Sequence, residues 1–329
     1  MEPSNGVPSD TPPPPLSRTI CGFWSRIWAL FLDGLVLGSV GVVCGIFLFD
    51  AFAKLGGWGR LVGFGVALPY FGVLNSAVGG GMTIGKRIAK IEVVDAEGCH
   101  IPLARSFLRY LILGVPFFLN GARIETTWLL GYVGLVVGIL VLGLGGSIVY
   151  LYVFNRRTRQ SVHDLVVGTY VAAAGGSGHV VATPFWRPHL KICGAWCLAL
   201  VALSLLSPRL MKIGPFPELL SCQQRIQASK KVLSASVFAG ENWNYQNGTK
   251  THTSSLQVAA VMRDRPDDYG AAANEIAAMV LSSFPAISKK DVLVVSVDYG
   301  YDIGIAHAWI SRRFQHSPSE WESIAGNSR

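Results

Sequence analysis

The chain has 329 residues, enough for two or three domains; half are hydrophobic, only 15% are charged, and the mean hydropathy is positive. Those values exclude a single soluble globule, and apolar runs of about twenty residues indicate a multi-pass membrane protein. The net charge of +8 does not indicate nucleic-acid binding: residues 1–207 hold fifteen Lys/Arg against nine Asp/Glu, and most of these bases flank apolar runs, as topology signals do.

Residues 1–17 are rich in Pro, Ser and Gly, with Pro12 to Pro15 in a row. They lack the basic start and apolar core of a signal peptide, so a disordered cytoplasmic tail is expected. The first membrane helix is expected from about Cys21 to Phe49. Arg26 and Asp33 lie near its head, and seven helical residues turn through almost two revolutions. Both charges therefore share one face, roughly 10 Å apart along the axis. Ionisable groups at membrane depth are costly, so each needs a partner or a watery cavity. Gly34, Gly38, Gly41 and Gly45 form a small-residue stripe beside Asp33, suited to a neighbouring helix or a second copy of the chain.

A loop, Asp50 to Gly59, leads to a second helix over about Arg60–Val78, kinked at Pro69 and carrying Asn75 near its end. The stretch Gly80-Gly81-Met82-Thr83-Ile84-Gly85-Lys86-Arg87 nearly spells a phosphate-binding loop. However, Arg87 stands where Ser or Thr should hold magnesium, and a membrane helix precedes it instead of a strand. Lys86 and Arg87 are better explained as membrane-surface bases. Ile88–Leu103 alternates weakly about Asp95-Ala96-Glu97-Gly98, the pattern of a small surface β-hairpin. Arg105 and Arg109 open the apolar stretch Phe107–Leu119, which is short for a crossing and holds Pro116; it is either a tilted span or re-entrant. Trp128–Phe154 is long enough to cross, with Gly134 and Gly138 as a second close-packing pair.

Charge asymmetry sets the orientation. Lys86, Arg87, Lys90, Arg105 and Arg109 make one loop cytoplasmic, hence the N-terminus too, and Arg156, Arg157 and Arg159 belong on the same side. Four membrane segments before residue 155 reconcile these clusters. A Gly-rich linker follows at 176–189, then an additional, fifth membrane helix at 190–207. From 208 to 329 the charge is nearly balanced, and the order of elements is that of a small soluble α+β domain. Helices are expected at Glu218–Leu233 and Tyr269–Phe284. Strands are expected at Ser255–Met262 and Val292–Val297, with Ile303–Phe314 pairing with the last. Parity places this domain outside the cytoplasm.

The six cysteines form no framework, and Cys193 and Cys197, one turn apart, are packing residues. Asp298, Asp302 and His307 surround Tyr299-Gly300-Tyr301 without recognised ligand spacing, so a turn between strands explains them better than a metal or acid/base site. Asn247-Gly248-Thr249 matches a glycosylation sequon, which matters only in a eukaryotic secretory pathway. No cofactor motif is present, and no nucleophile, base and acid gather in one place, which argues against an enzyme.

Three pieces carry a family resemblance. They are Arg26 with Asp33; Gly81 to Arg87 through Val93-Val94-Asp95-Ala96-Glu97-Gly98 to Arg109; and Gln160-Ser161-Val162-His163-Asp164 with Gly168-Thr169. In this order and spacing they resemble the RDD family of bacterial membrane proteins, over about residues 18–175; nothing familiar covers 208–329. The resemblance implies a helical bundle in the bacterial inner membrane and singles out Arg26, Asp33 and Asp164, with a suggested transport role for the family. His163, Lys86, Arg87 and Arg109 are accessory candidates.

Arg26 and Asp164 lie at similar depth near the cytoplasmic surface and are expected to pair, leaving Asp33 as the buried acid. Exchanging the charges, Arg26→Asp with Asp164→Arg, is then expected to restore folding lost in either single variant. Asp33 itself either accepts hydrogen bonds from Arg26 or a neighbouring helix, or binds a proton or cation during transport. Asp33→Asn separates the two readings. His163 is either a proton relay or a membrane-surface histidine that caps a helix or meets headgroups. Two functions stay open at this stage: a bundle that moves a small ion or solute, and a membrane anchor whose C-terminal domain meets an unidentified ligand or partner.

Overall fold

The computed structural model describes residues 17–124, 131–210, 212–246 and 249–327. The tail expected at 1–17 lies outside the described residues except for Ser17, as do the start of the helix read from Trp128 and Asn247-Gly248 of the sequon. Among the described residues, three stretches are long and apolar enough to cross a membrane: Phe23–Leu74, Tyr132–Phe154 and Pro188–Leu206. Large apolar side chains such as Ile46, Phe47 and Leu198 stand exposed on them, as lipid-facing residues do.

Four segments before residue 155 are not resolved as such. Helix α1 (Phe23–Leu55) runs on past the expected Phe49, through a break in helical geometry at Leu48. Only a 3-10 turn, Gly56–Trp58, separates it from α2 (Gly59–Leu74). Asp50 and Lys54 end the apolar run without ending the helix, because neither breaks backbone hydrogen bonding. After the five-residue α3 (Ile84–Ile88) comes α4 (Leu103–Leu119), with 17 residues and Pro116 inside. The third helical stretch, α5 (Tyr132–Phe154), contains a π-helical segment at Ile139–Leu144.

The chain forms two compact units. The first comprises Met1–Asp33, Tyr70–Tyr110 and Val149–Arg187. Its small sheet corrects the expected hairpin at 88–103: β2 (Ile91–Val94) pairs antiparallel with β3 (Tyr170–Ala173). The turn at Asp95–Gly98 does form, with Asp95 N donating to Cys99 O at 2.9 Å, but no second strand follows it. Pro102 and the start of α4 at Leu103 end the extended stretch. Inside the expected linker, β4 (His179–Val180) pairs parallel with β1 (Ser17–Arg18). Cys21, Ala29, Ile91, Val93, Ile101 and Val171 form the core of this unit. Between the strands lies α6 (Val162–Val167).

The second unit comprises Gly34–Pro69, Leu111–Ile148 and Pro188–Arg329. Helix α7 (Pro188–Leu210) leads to a C-terminal domain rich in sheet. Its strands β5 (Val232–Gln246), β6 (Thr249–Met262), β7 (Val292–Asp302) and β8 (His307–His316) lie in the order β5-β6-β7-β8, and only the β6–β7 pair is parallel. That parallel pair needs a crossover, supplied by α9 (Tyr269–Ser283), whose N-cap Asp268 accepts from Gly270 N at 2.7 Å. The core joins Ile226 of α8 (Phe216–Gln227), Ile276 and Val280 of α9, and Leu256 and Val295 of the sheet with Trp321 of α10 (Pro318–Asn327).

The glycine stripe of α1 meets a different partner from the helix expected. A Cβ at Gly38 would lie 3.5 Å from Ile305 O, one at Gly41 would reach Ala306 at 2.7 Å, and Gly45 faces Tyr301. The tip of the β7–β8 hairpin covers Gly38, Gly41 and Gly45 but not Gly34, and Phe52, Tyr301 and Ile303 form a shared apolar cluster.

Candidate functional site

The polar site lies in the first unit and is assembled by three pieces of local structure. The first is the N-terminal part of α1, which carries Arg26 and Asp33. The second is the Thr83 turn. Extended at φ −68°, ψ 171°, Thr83 caps α3, its side chain accepting from Lys86 N at 3.3 Å. The third is α6, entered through a capping box between Ser161 and Asp164 and closed by Gly168 at φ 63°.

Asp33 is 1% exposed, and three donors occupy its oxygens. Tyr70 Oη and Gly85 N donate to Oδ1 at 2.7 and 2.8 Å, and Thr83 Oγ1 donates to Oδ2 at 2.6 Å. Gly85 is required at this contact, because a Cβ there would run into the Ala29 carbonyl and lie 2.9 Å from Asp33 Oδ1. Of the two expected donors, Arg26 and a neighbouring helix, the hydrogen bonds come from α2 and the α3 cap.

Asp164 is fully buried and forms the other centre. Arg109 donates to its Oδ1 from Nη2 at 2.7 Å and from Nε at 3.0 Å, and Thr169 Oγ1 donates to the same atom at 3.1 Å. Arg26 Nη1 reaches Oδ2 at 3.4 Å while also holding the Arg159 carbonyl. The structure thus brings Arg26 and Asp164 together, but the tighter partner is Arg109. Burial pushes the Asp164 carboxyl up; Arg109, His163 and Arg26 outweigh it and hold the group well below the ordinary carboxylate range.

His163 is buried beside Asp164 Oδ2 at 3.5 Å. Burial pushes its imidazole down to about 3 against the pull of Asp164, so the ring is neutral at pH 7. Its Nδ1, with Nε and Nη2 of Arg26, has no hydrogen-bond partner among the described residues.

Lys86 is partly exposed by surface area, yet closely surrounded by protein, and its ammonium donates to Asn75 Oδ1. Burial lowers it to about 7, with Arg109 adding to the fall and Asp33 and Asp164 opposing it. Arg87 stands apart: it is exposed and donates to the Gly79 carbonyl at 3.2 Å.

Sequence reasoning named neither Tyr70 nor the buried chain Asn155, Thr158 and Gln160 as part of this site. Asn155 Nδ2 donates to Thr158 Oγ1 at 2.7 Å, and Gln160 Nε2 to the Thr169 carbonyl at 2.9 Å. Thr83 carried a signal, a capping residue directly before a short helix. Tyr70 carried none.

This arrangement is the setting for the comparisons with known proteins. Residues 20–168 match the model of the RDD family. Over this stretch the chain is similar to the RDD family. Arg26, Asp33, Lys86, Arg109 and Asp164 all fall within the matched stretch. The uncharacterized protein YckC of Bacillus subtilis (strain 168) is 28% identical over 153 residues, 46% of this chain and 84% of that protein. No solved structure matches the chain. The RDD match and the apolar helices make this a membrane protein.

Proposed function

We propose that the RDD domain moves a small ion or solute across the bacterial inner membrane, its N-terminus in the cytoplasm, with Lys86 as the proton-responsive group. The observation that carries this reading is the contrast between Lys86 and Asp33. Asp33 has both oxygens engaged by three donors. The Lys86 ammonium rests on a neutral amide, titrates at about 7, and feels the fields of Asp33, Asp164, Arg26 and Arg109. A change of charge at Lys86 therefore shifts the balance of the whole cluster near physiological pH. The unpartnered Nε and Nη2 of Arg26 suit a passing species that accepts hydrogen bonds. The bases flanking the apolar runs support the cytoplasmic N-terminus.

Flux in reconstituted vesicles tests the proposal. Wild type is expected to carry ions or solute under a pH gradient, Lys86→Gln to lose flux at normal expression, and Asp33→Asn to keep it. Absence of flux under several ion and pH gradients refutes it. The saturated shell of Asp33 favours the second reading, a membrane-anchored binding protein in which the polar cluster is a static clasp.

A further inference from the structure

Where α1 gives way to α2, a cavity of about 260 Å³ opens between the Lys54–Arg60 turn, the segment around Arg123 and the C-terminal sheet. Its wall carries four cations, Lys54, Arg60, Arg123 and Arg263, against one carboxylate, Asp302. That carboxylate is already engaged: Arg60 donates to Asp302 Oδ2 from Nε at 3.0 Å and from Nη2 at 2.7 Å. Arg60 also holds the Asn120 carbonyl, so this pair is a structural part of the wall.

The other three cations are held more lightly. Lys54 makes only a loose, exposed pair with Asp264 at 3.7 Å, and Arg263 Nε donates to the Lys230 carbonyl at 3.0 Å. Arg123 Cζ lies 4.1 Å from the centre of the Trp309 ring. Such stacking fixes the plane of a guanidinium while leaving its N–H edge free for an anion.

We propose that this cavity binds a phosphate group, with Arg123 and Arg263 as its principal donors. Arginine forks match phosphate oxygens two at a time, and a partly enclosed site strengthens each bond. The volume is below the range of about 300–1,000 Å³ typical of drug-sized ligands, so a head group enters and the remainder of the ligand stays outside. The cavity lies at the turn between two apolar helices, α1 and α2; a turn between membrane-crossing helices falls near the lipid headgroups. The phosphate belongs either to an anionic phospholipid or to a soluble phosphate compound. The proposal uses residues of the second unit alone and stands apart from any transport by the RDD domain.

The test uses full-length protein, with Arg60 left intact and the variants Arg123→Ala and Arg263→Gln. Protein in phosphatidylcholine nanodiscs is titrated with inorganic phosphate and pyrophosphate. In parallel, native mass spectrometry measures phosphatidylglycerol retained from detergent. Saturable binding of either source is expected, weakened about tenfold or more by each variant and by high salt. Phosphatidylglycerol alone identifies a lipid site, and phosphate or pyrophosphate alone a soluble ligand. Should Arg123→Ala lose the fold, Arg263→Gln decides against wild type. Binding of neither source, or equal binding by wild type and folded variants, overturns the proposal.

Discussion

Asp33 is matched to its surroundings as an acceptor, and that sets what each substitution does. An asparagine keeps Oδ1 for Tyr70 and Gly85 and turns its amide toward Thr83 Oγ1, which can accept. Asp33→Asn is therefore expected to fold with a loss of about 1–2 kcal/mol, whereas Asp33→Leu strands three buried donors and yields no monodisperse protein in detergent. Size exclusion and thermal unfolding distinguish them. At Asp164, removing Arg109 breaks a buried pair, so Arg109→Met is expected to cost about 3–5 kcal/mol. The same contact changes the forecast for the charge exchange. With Arg109 2.7 Å from the Asp164 carboxylate, an arginine placed there meets a second cation, and Arg26→Asp with Asp164→Arg is expected not to rescue folding. Lys86 gives a pH signature. Folded, it titrates at about 7; unfolded, at about 10.4. Between those values the unfolded chain binds more protons, so this group makes stability rise with pH over that window. Thermal unfolding in detergent from pH 7 to 10 is expected to show the rise in wild type and a flatter profile in Lys86→Met.

Among the elements, the β7–β8 hairpin holds the C-terminal domain to the membrane helices, and its fit depends on glycines. A Cβ at Gly63 would collide with the Ile303 carbonyl, a backbone atom that cannot swing aside. Gly63→Ala is therefore expected to loosen the hairpin tip from α2, seen as faster hydrogen exchange at residues 302–307 with the sheet core still protected. The stripe on α1 was legible as a close-packing surface, but its partner was not, because small residues state how near a neighbour comes and not whether it is helix or strand. Periodicity located α9, β7 and the pairing of β8, which are amphipathic or β-branched over most of their length. It missed β5, whose Asn-, Glu- and Gln-containing end carries no alternation, and it misjudged the partner of β2, since pairing between strands so far apart in the chain, Ile91 with Ala173, has no local signature. At the site, Arg26 and Asp33 were legible from their cost in an apolar context, and Asp164 only through the family resemblance. Tyr70 was not, since its hydroxyl matters only once α1 and α2 are folded.

For the whole molecule, sidedness can be argued without counting segments. Helix α1 carries Arg26 near its start and Lys54 near its end, and the part before the break at Leu48, Phe23 to Phe47, is long enough to cross the roughly 30 Å hydrocarbon core. The C-terminal sheet engages the Lys54 end: Tyr299 Oη donates to Asp50 Oδ1 at 2.7 Å, and the hairpin covers Gly38 to Gly45. With the N-terminal end held in the cytoplasm by its flanking bases, a C-terminal domain outside the cytoplasm is the expectation to be tested. Cysteine accessibility tests this with an internal control. Cys99 is exposed in the loop after β2, and Ser288 is exposed beside the C-terminal core. In intact cells an impermeant maleimide is expected to label Ser288→Cys and spare Cys99, and permeabilisation is expected to expose both. Labelling of Cys99 alone in intact cells would invert the orientation. Sparing of both until permeabilisation would place the sheet in the cytoplasm, with the Lys54 end of α1 returning to the side on which the helix began.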